Sequence, residues 1–176
     1  GDGYGDINPG VGVTSGSDCD DSSNRTHPGA AENDSETLCM RDLDNDGYGD
    51  ESVTGNIIPG SDCDDSAVSI FPLDFDGDGH TLCDNDCNDN DPYVFPGAAQ
   101  YESSTDCMRD EDDDGYGDST VIAPVVAGTD CLDTDPTAFT GAAIAEPTLC
   151  TIDSDGDGYG DSSLVGILDA GTDCDD

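Results

Sequence analysis

The chain contains no lysine and no tryptophan, and only three arginines, Arg25, Arg41 and Arg109. Against them stand 43 acidic side chains, so the formal net charge is -40 over 176 residues. A surface so poor in positive charge repels phosphates, which excludes nucleic acid and anionic membrane surfaces as partners. Glutamate is scarce as well: 37 of the acids are aspartate and six are glutamate. A merely solvating acidic chain would draw freely on both. The shorter carboxylate fits tight turns and the cramped geometry of a calcium loop. No apolar run approaches the length of a membrane span, so membrane insertion is not expected, and no signal peptide is visible. With two histidines, neither near a serine motif, there is no nucleophile–base constellation, and the chain does not read as an enzyme. It begins without methionine in the middle of a motif, as a piece of something longer would.

Low hydrophobicity with high charge also describes disorder, but nine cysteines placed at regular intervals argue against it. They fall at 19, 39, 63, 83, 87, 107, 131, 150 and 174, with steps of about 20 and 24 alternating to give a unit of about 44 residues, except for the four-residue step from Cys83 to Cys87. Such spacing fits small oxidised modules of an extracellular or cell-surface protein. The copies read "LCMRDLDNDGYGDESVTGNIIPGSDCDD" (38–65), "DCMRDEDDDGYGDSTVIAPVVAGTDCLD" (106–133) and "LCTIDSDGDGYGDSSLVGILDAGTDCDD" (149–176). The divisions expected are a partial first repeat at 1–37, a second at 38–81 that runs into a variant loop, a shortened linker unit at 82–105, a third repeat at 106–148 and a truncated last one at 149–176.

Each full copy carries oxygen donors at loop positions 1, 3 and 5, a glycine at 6 and a backbone carbonyl at 7, the pattern that wraps a hard cation. In the second copy these are Asp42, Asp44, Asp46, Gly47 and the Tyr48 carbonyl, with Asp50 at position 9. The corresponding sets are Asp110, Asp112, Asp114, Tyr116 and Asp118, then Asp153, Asp155, Asp157, Tyr159 and Asp161. The first loop retains Asp2, Tyr4 and Asp6, and the variant loop has Asp74, Asp76, Asp78 and the His80 carbonyl. No acid follows at position 12, and no helical period follows the loop, so helical calcium hands are a poor fit. The closing ligand must come from elsewhere. From each position-9 aspartate to the aspartate before the next cysteine is 12 residues: Asp6 to Asp18, Asp50 to Asp62, Asp118 to Asp130, Asp161 to Asp173. Those four are the expected closing ligands, with Asp86 in the variant unit and with Asp20, Asp64, Asp133 and Asp175 in support. The spacers between, small and β-branched residues broken by glycine or proline, read as two short strands around a turn.

The combination DxDxDGYGD, GTDCDD and PGA resembles the metal-binding repeats of bacterial surface proteins with the MopE-type motif, and more distantly the type 3 repeats of thrombospondins. The likeness spans nearly the whole chain. It implies an extracellular, calcium-dependent repeat structure with little core and little regular secondary structure. Copper, associated with the first group, does not carry over, because nitrogen and sulfur donors are few here.

The expected fold is therefore a repeat array of short β-hairpins and ordered loops stapled by several calcium ions and by disulfides. Two cysteine registers are open: 19–39, 63–83, 87–107 and 131–150, or 39–63, 83–87, 107–131 and 150–174. The second is favoured, since its cysteines flank the ligands of one loop. The leading functional reading is a structural stalk, spacer or filament segment; the alternative is a surface adhesion or ligand-binding module. Sequons at Asn24 and Asn33 make N-glycans possible partners. Placing Asp176 ahead of Gly1 would complete the broken first loop, which suggests head-to-tail self-association through Asp2, Asp6, Asp18 and Asp176.

Overall fold

The computed structural model describes all 176 residues and contains no α-helix. No helix is long and apolar enough to cross a membrane. Regular structure is limited to three antiparallel strand pairs and one 3₁₀ turn at Leu82–Asp84. Strand β1 (Thr26–Pro28) pairs with β2 (Cys39–Arg41), Thr26 lying opposite Arg41. Strand β3 (Val94–Pro96) pairs with β4 (Cys107–Arg109) in the same register, Val94 opposite Arg109. The last pair, β5 (Phe139–Thr140) and β6 (Cys150–Thr151), is one residue shorter. The chain forms two compact units, one of Gly1–Leu73 with Thr81–Asp84, the other of Asp74–His80 with Asn85–Asp176. The first contains β1–β2; the second contains the other two pairs.

Each hairpin has a core of a few small side chains. Ala31, Ala99 and Ala143, just after the turn, are fully buried, and Met40 and Met108 on the return strands are 5% and 3% exposed. Gly49 lies against Ala31 and Met40, and Gly117 against Ala99 and Met108, so a loop glycine completes the packing of both. A single buried methionine contributes only about 2–3 kcal/mol. The architecture is mostly irregular backbone, held by covalent and polar staples.

The spacers are not hairpins. Their ends meet in isolated parallel bridges, Asp6 with Asp18, Asp50 with Asp62, Asp118 with Asp130 and Asp161 with Asp173. In the second copy the Gly60 amide donates to the Asp50 carbonyl, Glu51 to Asp62, and Asp62 to Gly49, at 3.1, 2.9 and 2.8 Å. The same three bonds recur in the other spacers. The backbones approach so closely that a Cβ on Gly60 would collide with the Gly49 carbonyl. A bridge of this kind fixes the length between its ends and leaves the residues of the turn free to vary.

The disulfides follow the register that the sequence reading did not favour: Cys19–Cys39, Cys63–Cys83, Cys87–Cys107 and Cys131–Cys150, with Cys174 free and exposed. The cysteines that flank one loop are not joined. Along an extended chain neighbouring side chains point to opposite sides. With Asp62 buried on the loop side, Cys63 faces away and meets Cys83. Each bridge therefore ties the end of one spacer forward to the chain about 20 residues on, and adds roughly 3 kcal/mol by loop closure.

Candidate metal centres

Within each loop the aspartates first serve the backbone. Asp42 accepts from the Asn45 amide on Oδ1 and the Gly47 amide on Oδ2, at 2.6 and 3.0 Å. Asp74, Asp110 and Asp153 accept the corresponding pairs of amides. Asp44 Oδ1 takes the Asp46 amide and Asp46 Oδ1 the Tyr48 amide, and the pattern repeats in the other loops. These bonds wind the chain tightly enough that Gly47, Gly79, Gly115 and Gly158 take φ of 93°, 93°, 91° and 97°, a region other residues rarely enter.

The second oxygens are left over. Oδ2 of Asp44, Asp46 and Asp62 is buried with no hydrogen-bond partner in the protein, as is Oδ2 of Asp112, Asp114 and Asp130, and of Asp76, Asp78 and Asp86. Asp18, Asp62 and Asp130 are fully buried. Ligand oxygens of Asp42, Asp44 and Asp46 lie within 4.8 Å of one another, as do those of Asp44, Asp62 and Asp65. An orphaned carboxylate oxygen in a buried site is costly unless a cation sits beside it. The position-7 carbonyls of Tyr4, Tyr48, His80, Tyr116 and Tyr159 accept no hydrogen bond either. Crowding is visible in the acidities. Burial, with Asp46, Asp44 and Asp65 adding to it, pushes Asp62 up to about 6. Burial and the charges of Asp114, Asp112 and Asp133 push Asp130 up to about 7. Asp155 is raised despite the amide of Asp157, by burial and by Asp157, Asp173 and Asp176.

The position-9 aspartates have backbone partners of their own. Asp6, Asp50, Asp118 and Asp161 each accept the amide two residues on, at 2.7, 2.6, 2.6 and 2.6 Å, and so cap the first turn of the spacer. Asp50 also pairs with Arg41, and Asp118 with Arg109 at 3.7 Å. Of the supporting aspartates expected at 20, 64 and 175, Asp20 and Asp64 accept the Ser22 and Ser66 hydroxyls. The recurrent element is Asp–Cys–x–Asp, whose second aspartate accepts the amide of loop position 2: Asp65 from Leu43, Asp89 from Phe75, Asp133 from Glu111 and Asp176 from Ser154. Asp133 alone of these was expected in that role. Asp176 is thereby engaged in its own loop, its Oδ1 accepting the Ser154 and Asp155 amides.

Three further acids escaped the sequence reading. Asp34 Oδ2 accepts the Gly49 and Ser61 amides at 2.8 and 2.9 Å. Glu102 Oε2 accepts Gly117 and Thr129, and Glu146 Oε2 accepts Gly160 and Thr172. Each clamps both ends of a spacer, and each lies five residues after the glycine of a GAA turn, a spacing that was there to find. The rings at position 7 stack on residues further along: Tyr4 on His27, Tyr48 on Phe71, His80 on Phe95 and Tyr116 on Phe139, at 5.1, 5.9, 4.8 and 4.3 Å. Both histidine rings are thus used in stacking. Both sequon asparagines, Asn24 and Asn33, are exposed, and Asn33 also donates its side-chain amide to the Asp46 carbonyl at 3.1 Å. Comparison with family models, with curated proteins and with solved structures finds no match for this chain.

Proposed function

We propose that the chain is an extracellular structural protein, an array of calcium-stapled modules that serves as a stalk, spacer or filament segment. One observation carries this reading: the same oxygens, Oδ2 of positions 3 and 5 and of the aspartate before cysteine, are left buried and unpartnered in three successive loops. The donors are all carboxylate or carbonyl oxygens, which suits a hard cation, and their number suits calcium, which takes six to eight oxygens, better than magnesium, which keeps its waters. Four disulfides in a chain of this size fit an oxidising compartment. The ions and the bridges together take the place of the hydrophobic core that each hairpin lacks.

Calcium binding at on the order of 0.1–1 mM, the range of extracellular modules, is expected by calorimetry. Chelation is expected to leave a disulfide-linked but expanded chain, because the carboxylates then repel. An absence of heat on adding calcium, or an unchanged hydrodynamic radius in chelator, would overturn the reading.

A further inference from the structure

The second aspartate of Asp–Cys–x–Asp is fixed in four centres by the position-2 amide on Oδ1, to which Asp176 adds the amide of Asp155. Its other oxygen is treated in two ways. Arg41 Nε donates to Asp65 Oδ2 at 3.0 Å, and Arg109 Nη1 pairs with Asp133 Oδ2. At the sequence position of those arginines, directly ahead of the loop, the other copies have Leu73 and Ile152. There Oδ2 of Asp89 and of Asp176 is buried without a partner. Asp89 is itself only 3% exposed, and its oxygen lies within 4.8 Å of those of Asp74 and Asp76. The 74–89 centre thus holds four orphaned oxygens, from Asp76, Asp78, Asp86 and Asp89, where the arginine-bearing centres hold three each.

Resting on the calcium reading above, we infer that Arg41 and Arg109 set the affinity of their centres, and that the 74–89 centre, which has none, is the tightest cation site of the chain. Each guanidinium removes one carboxylate oxygen from the ion and adds a positive charge beside it. Cation affinity in oxygen sites follows the ligand charge count and the rigidity of the site. At the second aspartate itself, rigidity does not offset the loss. The amide of position 2 already anchors Asp65, Asp89 and Asp133 alike, so the arginine adds little order that the 74–89 centre lacks. Arginine keeps its charge at any working pH and presents a fork of donors that matches carboxylates, so it holds the position permanently. Two classes of centre result. One is partly neutralised from within and fills late; the other depends on the metal and fills first.

The test is a calcium titration of the whole oxidised chain, read at the backbone amides of Gly79, Gly47 and Gly115 by nuclear magnetic resonance. Gly79 is expected to reach half-saturation at about tenfold lower calcium than the other two. Arg41→Leu and Arg109→Leu are expected to shift Gly47 and Gly115, respectively, towards the Gly79 midpoint. Ile152→Arg, made beside Asp176, is expected to weaken the last centre about tenfold, read at Gly158. Arg41→Lys keeps the charge without the fork, and an intermediate midpoint supports the inference even if the leucine variant folds poorly. Midpoints that coincide in all loops, or that ignore these substitutions, overturn the inference and leave calcium binding standing. An absence of any shift with calcium overturns both.

Discussion

The 110–133 repeat and the 74–89 loop close the same kind of centre over paths of different length. From loop position 9 to the closing aspartate is 12 residues in one, Asp118 to Asp130, and four in the other, Leu82 to Asp86. The long path is pinned by a parallel bridge, clamped by Glu102 and braced by Arg109. The short path has none of these and passes instead through the 3₁₀ turn at Leu82–Asp84. What survives in both is informative. Position 1 binds two loop amides, positions 3 and 5 and the closing aspartate keep an orphaned oxygen, and the Asp–Cys–x–Asp element reaches back to position 2. The shared set is the centre; the bridge, the clamp and the position-9 acid are scaffolding that a shorter return can do without.

The largest effect should follow from the closing aspartates, which both regions share. Asp130→Asn and Asp86→Asn each remove a buried carboxylate from a cluster that, on the proposed calcium reading, binds through its charge count. Each is expected to weaken calcium binding at its own centre on the order of 100-fold. The Gly115 and Gly79 amides should report the two losses separately, and each variant should leave the centre at 42–50 within a few-fold of its starting value. Equal weakening of every centre would break the modular comparison.

Much of this was legible in the sequence, because it depends on spacing that the backbone alone imposes. Alternating aspartates with glycine at position 6 defined the loops, and the constant 12-residue interval picked out Asp18, Asp62, Asp130 and Asp173. Read from the sequence alone, the interval suggests two ends anchored to one ion. A parallel bridge between the two ends is enough to fix it. Side-chain direction was the quantity that could not be read. Whether Cys63 faces Cys39 or Cys83 depends on which side of the chain Asp62 buries, and spacing says nothing of that. The same blindness put Asp64 in the place of Asp65, since two adjacent acids look equivalent until one bonds the Leu43 amide. For Asp34, Glu102 and Glu146 the recurrence after the GAA glycine marks the acid but not its role, because the partners are backbone amides 15 and 27, 15 and 27, and 14 and 26 residues away.

A change of pH should separate the two regions next. In the 110–133 repeat burial pushes Asp130 up to about 7 and both Asp114 and Asp133 up to about 6, with neighbouring carboxylates adding to the shift. Arg109 opposes it at Asp133. In the 74–89 loop Asp76 and Asp86 are raised as well, burial again leading. A carboxyl group whose folded value lies above its unfolded value of about 3.9 binds its proton more tightly when folded. Its contribution is present in full below that unfolded value and is lost as pH rises through 6 to 7. In chelator, lowering the pH from 7.5 to 5 should therefore compact the chain and raise hydrogen-exchange protection, most at Gly115. With calcium bound, the same protons compete with the ion, and acidification should lower protection instead. Slopes of the same sign in the two conditions would contradict the reading of these carboxylates as a cation site.

The smallest effect should come from position 9, and it is the sharpest test of where the centre ends. Asp118 accepts the Thr120 amide and hydroxyl on Oδ1 at 2.6 and 2.7 Å, and Arg109 lies 3.7 Å from its other oxygen. Both contacts stabilise the start of the spacer, and the 74–89 loop has Leu82 in that place with its cluster of orphaned oxygens intact. Asp118→Asn keeps an oxygen for the turn and loses the charge towards Arg109. It is expected to cost about 0.5–1 kcal/mol of stability, the worth of a charge-assisted bond at a partly exposed site. Calcium affinity at Gly115 should change by less than about threefold, against the far larger loss in Asp130→Asn. The released Arg109 could swing further onto Asp133 and tighten its hold there, which would lower affinity slightly rather than raise it. If Asp118→Asn instead weakens the centre as much as Asp130→Asn does, position 9 is a ligand. The 74–89 loop, which has no acid there, would then be a centre of a different kind.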